Sequence, residues 1–121
     1  MNRSKRKGTA FEQQVCDWLN EELGTDEFHR LALGGSNDVG DVYGLRAHGG
    51  KVVVECKACA RTELAQWLGE AERERLNADA LAKVVLVKRR GCGYARLGKT
   101  YAVMELDDLL AICAGREYGS E

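Results

Sequence analysis

The chain has 121 residues, of which 45% are hydrophobic and 31% charged, and its formal net charge is −1. These values are typical of a globular protein and predict a single domain over residues 1–121 with one core. No apolar run approaches the roughly 18 residues of a transmembrane helix, so no membrane association is expected. The basic segment at residues 1–8 is followed by no apolar signal core, and we expect the chain to remain in the cytoplasm.

The five cysteines do not indicate a disulfide framework, because their number is odd and no export signal accompanies them. Cys16 and Cys113 lie in apolar patterns and are predicted to be buried. Cys56-x-x-Cys59 has a zinc-like spacing, but no second pair follows, and Cys92 alone would leave a zinc site short of ligands. We therefore expect Cys56 to be a core residue.

The N-terminal half predicts one helix and then strands. The helix is expected to begin near Gly8 or Thr9, after a basic, flexible arm at residues 1–8, and to end at Gly24. Thr9 and Glu12 have the spacing of a capping box. Strands are expected at residues 28–33 and 41–45, separated by turn-forming residues, and a buried central strand at 51–57.

The C-terminal half predicts a crossover helix and two further strands. The helix is expected at residues 62–80, strands at 84–87 and 101–104 with a glycine-rich basic loop at 89–99 between them, and a last helix at 106–113. The order is α-β-β-β-α-β-β-α. It predicts an α/β fold with a mixed central sheet of about five strands flanked by helices.

Basic residues are segregated along the chain, which matters more for DNA binding than the net charge does. The expected phosphate contacts are Arg3, Lys5, Arg6, Lys7, Lys88, Arg89, Arg90, Arg96 and Lys99, and Lys83 belongs to the same run of cations. Such contacts give affinity without sequence readout. The alternative is that these side chains are simply solvated.

Asp41 followed by Glu55-Cys56-Lys57 is the pattern most indicative of chemistry. Alternation along a strand puts Glu55 and Lys57 on one face, and Asp41 lies at a similar distance on the other side of the turn at Gly49. Two neighbouring carboxylates and a lysine on a buried strand suit an Mg²⁺-dependent phosphodiesterase. The alternative is an ion pair of Lys57 with Glu55 or Asp41 and no catalytic role.

The order and spacing of these residues resemble the archaeal-type Holliday junction resolvases, within the PD-(D/E)xK nucleases. The segment from Arg6 to Glu12 is similar to the basic lead-in of that family, and Asp41, Glu55 and Lys57 match its Gly-Asp or Pro-Asp and E-x-K motifs. The resemblance covers most of the chain. Gly40 stands where proline is common in the family.

The resemblance implies a restriction-endonuclease-like core, a homodimer, and paired nicks across a four-way DNA junction. Glu12 would join Asp41, Glu55 and the Cys56 backbone carbonyl around Mg²⁺, for which Mn²⁺ would substitute. Ser36 matches a loop serine that approaches the scissile phosphate in related resolvases, with an ordinary surface turn as the alternative. Gln66 matches a glutamine near the catalytic face of related nucleases, with a solvated helix position as the alternative. A less selective nuclease in phage or plasmid DNA processing and a non-catalytic DNA-binding module with the same fold are the alternatives.

Overall fold

The computed structural model describes residues 3–31 and 40–118, with side chains described from Gly8 onward. Its elements are α1 (Arg3–Leu23), β1 (His29–Arg30), β2 (Val42–Tyr43), β3 (Arg46–Ala47), β4 (Gly50–Lys57), α2 (Leu64–Ala78), β5 (Ala82–Val87), a 3-10 helix (Tyr94–Lys99), β6 (Tyr101–Val103) and α3 (Leu106–Ala114).

The predicted α/β architecture, a mixed sheet flanked by helices, is confirmed. The strands are ordered β1-β2-β4-β5-β6, and the short β3 also pairs with β4. Strands β4 and β5 run parallel and are joined by α2, whereas the other pairings are antiparallel. Among the described residues, no helix is long and apolar enough to cross a membrane.

The sheet has six strands rather than about five, because the segment predicted as one strand at residues 41–45 is followed by a further short strand. Gly44 has a φ of +125°, which interrupts β2 before β3 begins. His48 and Gly49 then adopt positive φ values of 52° and 78°, the backbone of a tight hairpin turn into β4.

Helix α1 begins at Arg3, so the prediction that a helix starts at Gly8 or Thr9 was wrong. Arg and Lys are good helix formers, and the basic segment continues the helix backwards through Gly8. Thr9 therefore lies inside the helix and does not cap it. The end was predicted correctly, since Gly24 follows the last helical residue with a φ of +62°.

The two faces of β4 have different surroundings, and this difference positions the candidate site. Val52, Val54 and Cys56 pack into the main core, whose other members include Phe11 of α1 and Ala111 of α3. The alternate residues face α2, which packs on this side through a smaller cluster of Trp67, Ala71 and Val85. Polar side chains on this face of β4 are thus held under a helix rather than in solvent.

Lys83 is not part of a basic surface, contrary to the sequence-based expectation. Its side chain on β5 is 1% exposed, and Nζ donates to Glu72 (2.8 Å), Glu105 (2.7 Å) and Asp108 (2.7 Å). A buried ammonium with three carboxylate partners links α2 and α3 to the sheet. Removing one member of such a cluster is costly, since the others are left buried without compensation.

Helix α3 exposes apolar residues and buries polar or small ones. Leu106 is 77% exposed, and Leu109, Leu110 and Cys113 are also exposed, whereas Asp108 and Ala111 are buried. The prediction that Cys113 is buried was therefore wrong. Asp108 is drawn inwards by Lys83, and Ala111 belongs to the core, so the leucines between them are turned outwards.

Candidate active site

Asp41, immediately before β2, lies beside the segment of β4 that contains Glu55, as their sequence positions predicted. Val42 of β2 is paired antiparallel with Val54 of β4. Two hydrogen bonds fix Asp41 beside this pair: its N–H donates to the Val54 carbonyl (2.8 Å), and its Oδ2 accepts from the N–H of Cys56 (2.8 Å). The Asp41 carboxylate is thereby held against the backbone on either side of Glu55.

Gly40 allows this close approach. It has a φ of +105°, and a Cβ atom built there would lie 3.1 Å from both Val53 Cγ1 and the Val54 carbonyl oxygen. Proline cannot adopt such a φ, since its ring holds φ near −65°. The backbone at position 40 therefore requires glycine and excludes proline.

The pKa of Glu55 is strongly shifted by its surroundings. It is 7% exposed, and the acidic side chains of Asp41 and Glu74 lie close enough to affect its ionisation. Burial raises the pKa of Glu55 most, and the neighbouring charges of Asp41 and then Glu74 raise it further, to well above the ordinary value. At neutral pH this carboxyl group keeps a proton unless a cation compensates its charge.

Lys57, two residues after Glu55 on β4, forms an ion pair with it. Its Nζ lies 3.7 Å from Glu55 Oε2 and 3.2 Å from Glu70 Oε1, and its side chain is 20% exposed. Burial alone would lower the pKa of Lys57, but the carboxylates of Glu55 and Glu70 outweigh burial and raise it. The lysine is therefore an ammonium at neutral pH, with part of its surface open to a ligand.

Glu12 borders the site from α1. Its Oε1 accepts a hydrogen bond from Arg30 Nε at 3.0 Å. Burial raises the pKa of Glu12, the bond to Arg30 opposes this effect, and the charge of Asp41 adds to it. Glu12 is thus close enough to Asp41 for their charges to interact, and its direct partner is Arg30.

Sequence reasoning missed three polar residues that shape this site: Glu70 and Glu74 on α2, and Arg30 on β1. A signal for the first two exists in the helix pattern. Trp67, Ala71 and Glu74 recur at the spacing of one buried face, so a glutamate occurs where an apolar residue is expected. Arg30 gives no such signal, because its pairing with Glu12 depends on how α1 crosses the sheet.

The other predicted residues lie in different settings. Gln66 is exposed on the first turn of α2, and Cys56 is buried on the opposite face of β4, where its N–H bonds Asp41. Ser36 lies outside the described residues. The expected phosphate contacts fall in two segments. The first is the start of α1, which contains Arg3, Lys5, Arg6 and Lys7. The second is the 88–99 region, in which Arg89 is half-buried and four residues are exposed: Lys88, Arg90, Arg96 and Lys99.

No group of three or more His, Cys, Asp and Glu side chains is arranged to hold a metal within residues 3–31 and 40–118. Mg²⁺ does not require three protein ligands, because one or two carboxylates with water and substrate phosphate are sufficient to bind it. Asp41 and Glu55 form such a pair. Their oxygens are the donor type that Mg²⁺ prefers, and a divalent cation bound there would favour the ionised form of Glu55.

The comparisons with known proteins are negative. No family model matches the sequence, no curated protein matches it significantly, and no solved structure matches the fold significantly. The resemblance to resolvases consequently depends on Glu12, Asp41, Glu55 and Lys57, on their spacing, and on the basic lead-in that begins at Arg6.

The raised pKa of Glu55 predicts a pH-dependent gain of stability in Glu55→Gln. The folded protein keeps a proton that the unfolded chain releases above the ordinary pKa of 4.5, so stability falls as pH rises through that window. In EDTA we expect Glu55→Gln to match the parent protein near about pH 4. It should exceed the parent's unfolding free energy by at least about 1 kcal/mol near about pH 8.

Urea unfolding followed by circular dichroism at a series of pH values measures this difference. Glu22→Gln, at an exposed position of α1, is the matched control and should show no divergence with pH. A difference in unfolding free energy between Glu55→Gln and the parent that stays constant from about pH 4 to about pH 8 would contradict the raised pKa of Glu55.

Proposed function

We propose that this protein is a divalent-cation-dependent endonuclease that cleaves branched DNA, with four-way junctions as the preferred substrate. The observation that carries the proposal is the position of Asp41, which its hydrogen bonds to the Val54 carbonyl and the Cys56 N–H fix beside the buried Glu55, with the Lys57 ammonium 3.7 Å from Glu55. A restriction-endonuclease-like core is part of the proposal. It is supported by the hairpin that carries Asp41 and Glu55, followed by the α2 crossover to a parallel strand.

Mg²⁺ fits the carboxyl pair, and Mn²⁺ has similar ligand preferences. Asp41 and Glu55 would hold the ion, with Glu12 near enough to contribute through water and the Cys56 backbone carbonyl as the further ligand implied by the resemblance. When bound, such an ion supplies Lewis-acid activation of the phosphodiester and of the attacking water.

The residues of the chain have separable tasks in this reaction. Asp41 is oriented by the Cys56 N–H, so its remaining oxygen is the one available to a ligand. Lys57 donates to the scissile phosphate or orients the attacking water, and it stabilises the negative charge that develops on phosphorus-bound oxygens. Glu70 holds the lysine in place from α2 and is a positioning residue.

Two features support recognition of DNA by shape rather than by sequence. The exposed cations of the 88–99 region, together with the basic first turns of α1, are suited to phosphate contacts. The basic first turns of α1 precede Glu12 in the chain, and the Lys88 N–H donates to the Lys57 carbonyl, which joins the 88–99 region to the site. Contacts of this kind fix a backbone across the site without reading its bases.

Resolution of a four-way junction needs two nicks, and one chain carries one site, so the proposal includes a homodimer. The exposed leucines of α3 are its best-supported surface, because an uncharged apolar face is complementary to its own copy under two-fold symmetry. The neighbouring strand β6 is an edge of the sheet, and edge strands can pair with another chain.

Asp41→Asn tests the catalytic assignment while preserving the fold, since an asparagine oxygen can still accept from the Cys56 N–H. We expect Mg²⁺-dependent cleavage of a labelled four-way junction to fall by more than about a hundredfold, beyond what replacing a residue behind a metal ligand usually costs. Junction binding in EDTA should be unchanged or tighter, because one negative charge is removed from the phosphate site.

Asp26→Asn, the same change at an exposed turn, is the control and should cleave like the parent protein. Matched linear duplex, single strand and flap substrates define selectivity. Equal cleavage of all substrates would contradict junction preference and leave a general nuclease. Cleavage of none by the parent protein, in Mg²⁺ or Mn²⁺, would contradict the enzyme and favour a DNA-binding module.

Replacing Leu106 and Leu110 together by Glu tests the dimer surface. The parent chain should behave as a dimer in light scattering, and the double variant as a monomer, because buried like charges would face each other across the interface. Leu23→Glu places the same charge on an exposed leucine of α1 and should leave the dimer intact. A monomeric parent chain would contradict the proposed assembly.

A further inference from the structure

A cavity of about 430 Å³ lies beyond the end of β4. One wall is the strand exit at Ala58, Cys59 and Ala60, a second wall is the 88–93 loop, and Gln14 of α1 lines it from another side. Among the residues that the structure describes, no acidic side chain lines the cavity. Its volume falls within the range of small-ligand pockets, which is roughly 300–1,000 Å³.

The cavity adjoins the candidate active site, because its walls are connected to Lys57. Ala58 and Cys59 follow Lys57 in the chain, and the Lys88 N–H donates to the Lys57 carbonyl at 2.9 Å. The loop that forms the cavity is therefore fixed to the residue that carries the proposed catalytic ammonium. On the α1 side, Gln14 comes two positions after Glu12.

The cations of the loop are not equivalent. Arg89 Nη1 donates to the Lys99 carbonyl at 3.0 Å, and its guanidinium lies 4.4 Å from the centre of the Tyr101 ring, so Arg89 is held by its own neighbours. Lys88 and Arg90 are exposed, and neither forms an ion pair within the described part of the chain. These two side chains supply positive charge that a ligand can use.

We infer that this cavity is a phosphodiester-binding subsite, which holds the DNA backbone next to the bond that is cut. The ligand class follows from the lining, which combines two available cations and an amide with no carboxylate. Cys59 and Cys92 also line the cavity, but no metal-holding group that includes them exists among the described residues. DNA as the source of the phosphodiester rests on the proposed function.

Cys59 provides a direct probe of the subsite, because its thiol is exposed and lies in the cavity wall. Cys113, on α3, is exposed as well and serves as an internal control, whereas Cys16, Cys56 and Cys92 are buried. With N-ethylmaleimide and EDTA, saturating four-way junction should slow alkylation of Cys59 several-fold and leave Cys113 unaffected, as measured by peptide mass spectrometry. Thymidine 5′-phosphate at the same phosphate concentration should give little protection.

A second variant keeps the inference testable if reagent access is poor. Lys88→Ala with Arg90→Ala should weaken junction binding in EDTA and reduce the dependence of log affinity on log salt concentration by about 2, the loss of two phosphate contacts. Arg73→Ala, at an exposed position of α2, is the control and should leave both quantities unchanged.

Protection of Cys59 by DNA, together with the reduced salt dependence, would support the subsite. Equal alkylation of Cys59 with and without DNA, or an unchanged salt dependence in the double variant, would overturn it. Protection by the mononucleotide as strong as that by DNA would also overturn it in favour of a free-nucleotide pocket. All these experiments omit metal, so a protein without nuclease activity can still support the subsite. A protein that cleaves DNA but shows no protection of Cys59 would contradict the subsite and leave the proposed function standing.

Discussion

The placement of Asp41 beside the buried carboxyl group of Glu55 is the constraint around which the rest of the site is organised. A charged carboxylate under a helix is expensive, and the neighbouring charge of Asp41 disfavours ionisation of Glu55 further. The protein nevertheless holds Asp41 in place through two backbone hydrogen bonds and leaves room for it with a glycine at position 40. A fold selected only for stability would have an apolar pair at these positions.

Lys83 and Lys57 show the difference between a charge with a structural role and a charge that can act on a ligand. Lys83, on the same face of the neighbouring strand, is fully buried and satisfied by three carboxylates, which suits a structural role. Lys57 has looser contacts with Glu55 and Glu70 and remains partly exposed. The difference in exposure and partners, more than the residue type, marks Lys57 as the lysine able to act on a ligand.

Much of this arrangement could be predicted from the sequence, since it depends on local periodicity. Alternation along β4 put Glu55 and Lys57 on one face, and the hairpin placed Asp41 beside them, as the register of Val42 with Val54 bears out. The start of α1 was mispredicted, because a glycine and a threonine resembled a cap although the preceding basic residues favour a helix.

The other features that the sequence did not predict all depend on tertiary packing. Charge segregation along the chain gave no indication that Lys83 is buried, because burial depends on acids from α2 and α3 that are distant in sequence. The contribution of Glu74 to the site likewise depends on which face of α2 covers β4. The outward leucines of α3 follow from the same packing, since Asp108 rather than a leucine is needed against Lys83.

Binding of a divalent cation to the carboxyl pair is the most direct test of this account, and it can be measured without any DNA. Mn²⁺ titration followed by electron paramagnetic resonance counts bound ions as the free-ion signal disappears. The account predicts saturable Mn²⁺ binding to the parent protein, competed by Mg²⁺, that is lost when Asp41 and Glu55 are both replaced by their amides. Equal Mn²⁺ binding by the parent and the double variant, or none by the parent, would contradict the assignment of these carboxylates as a metal site.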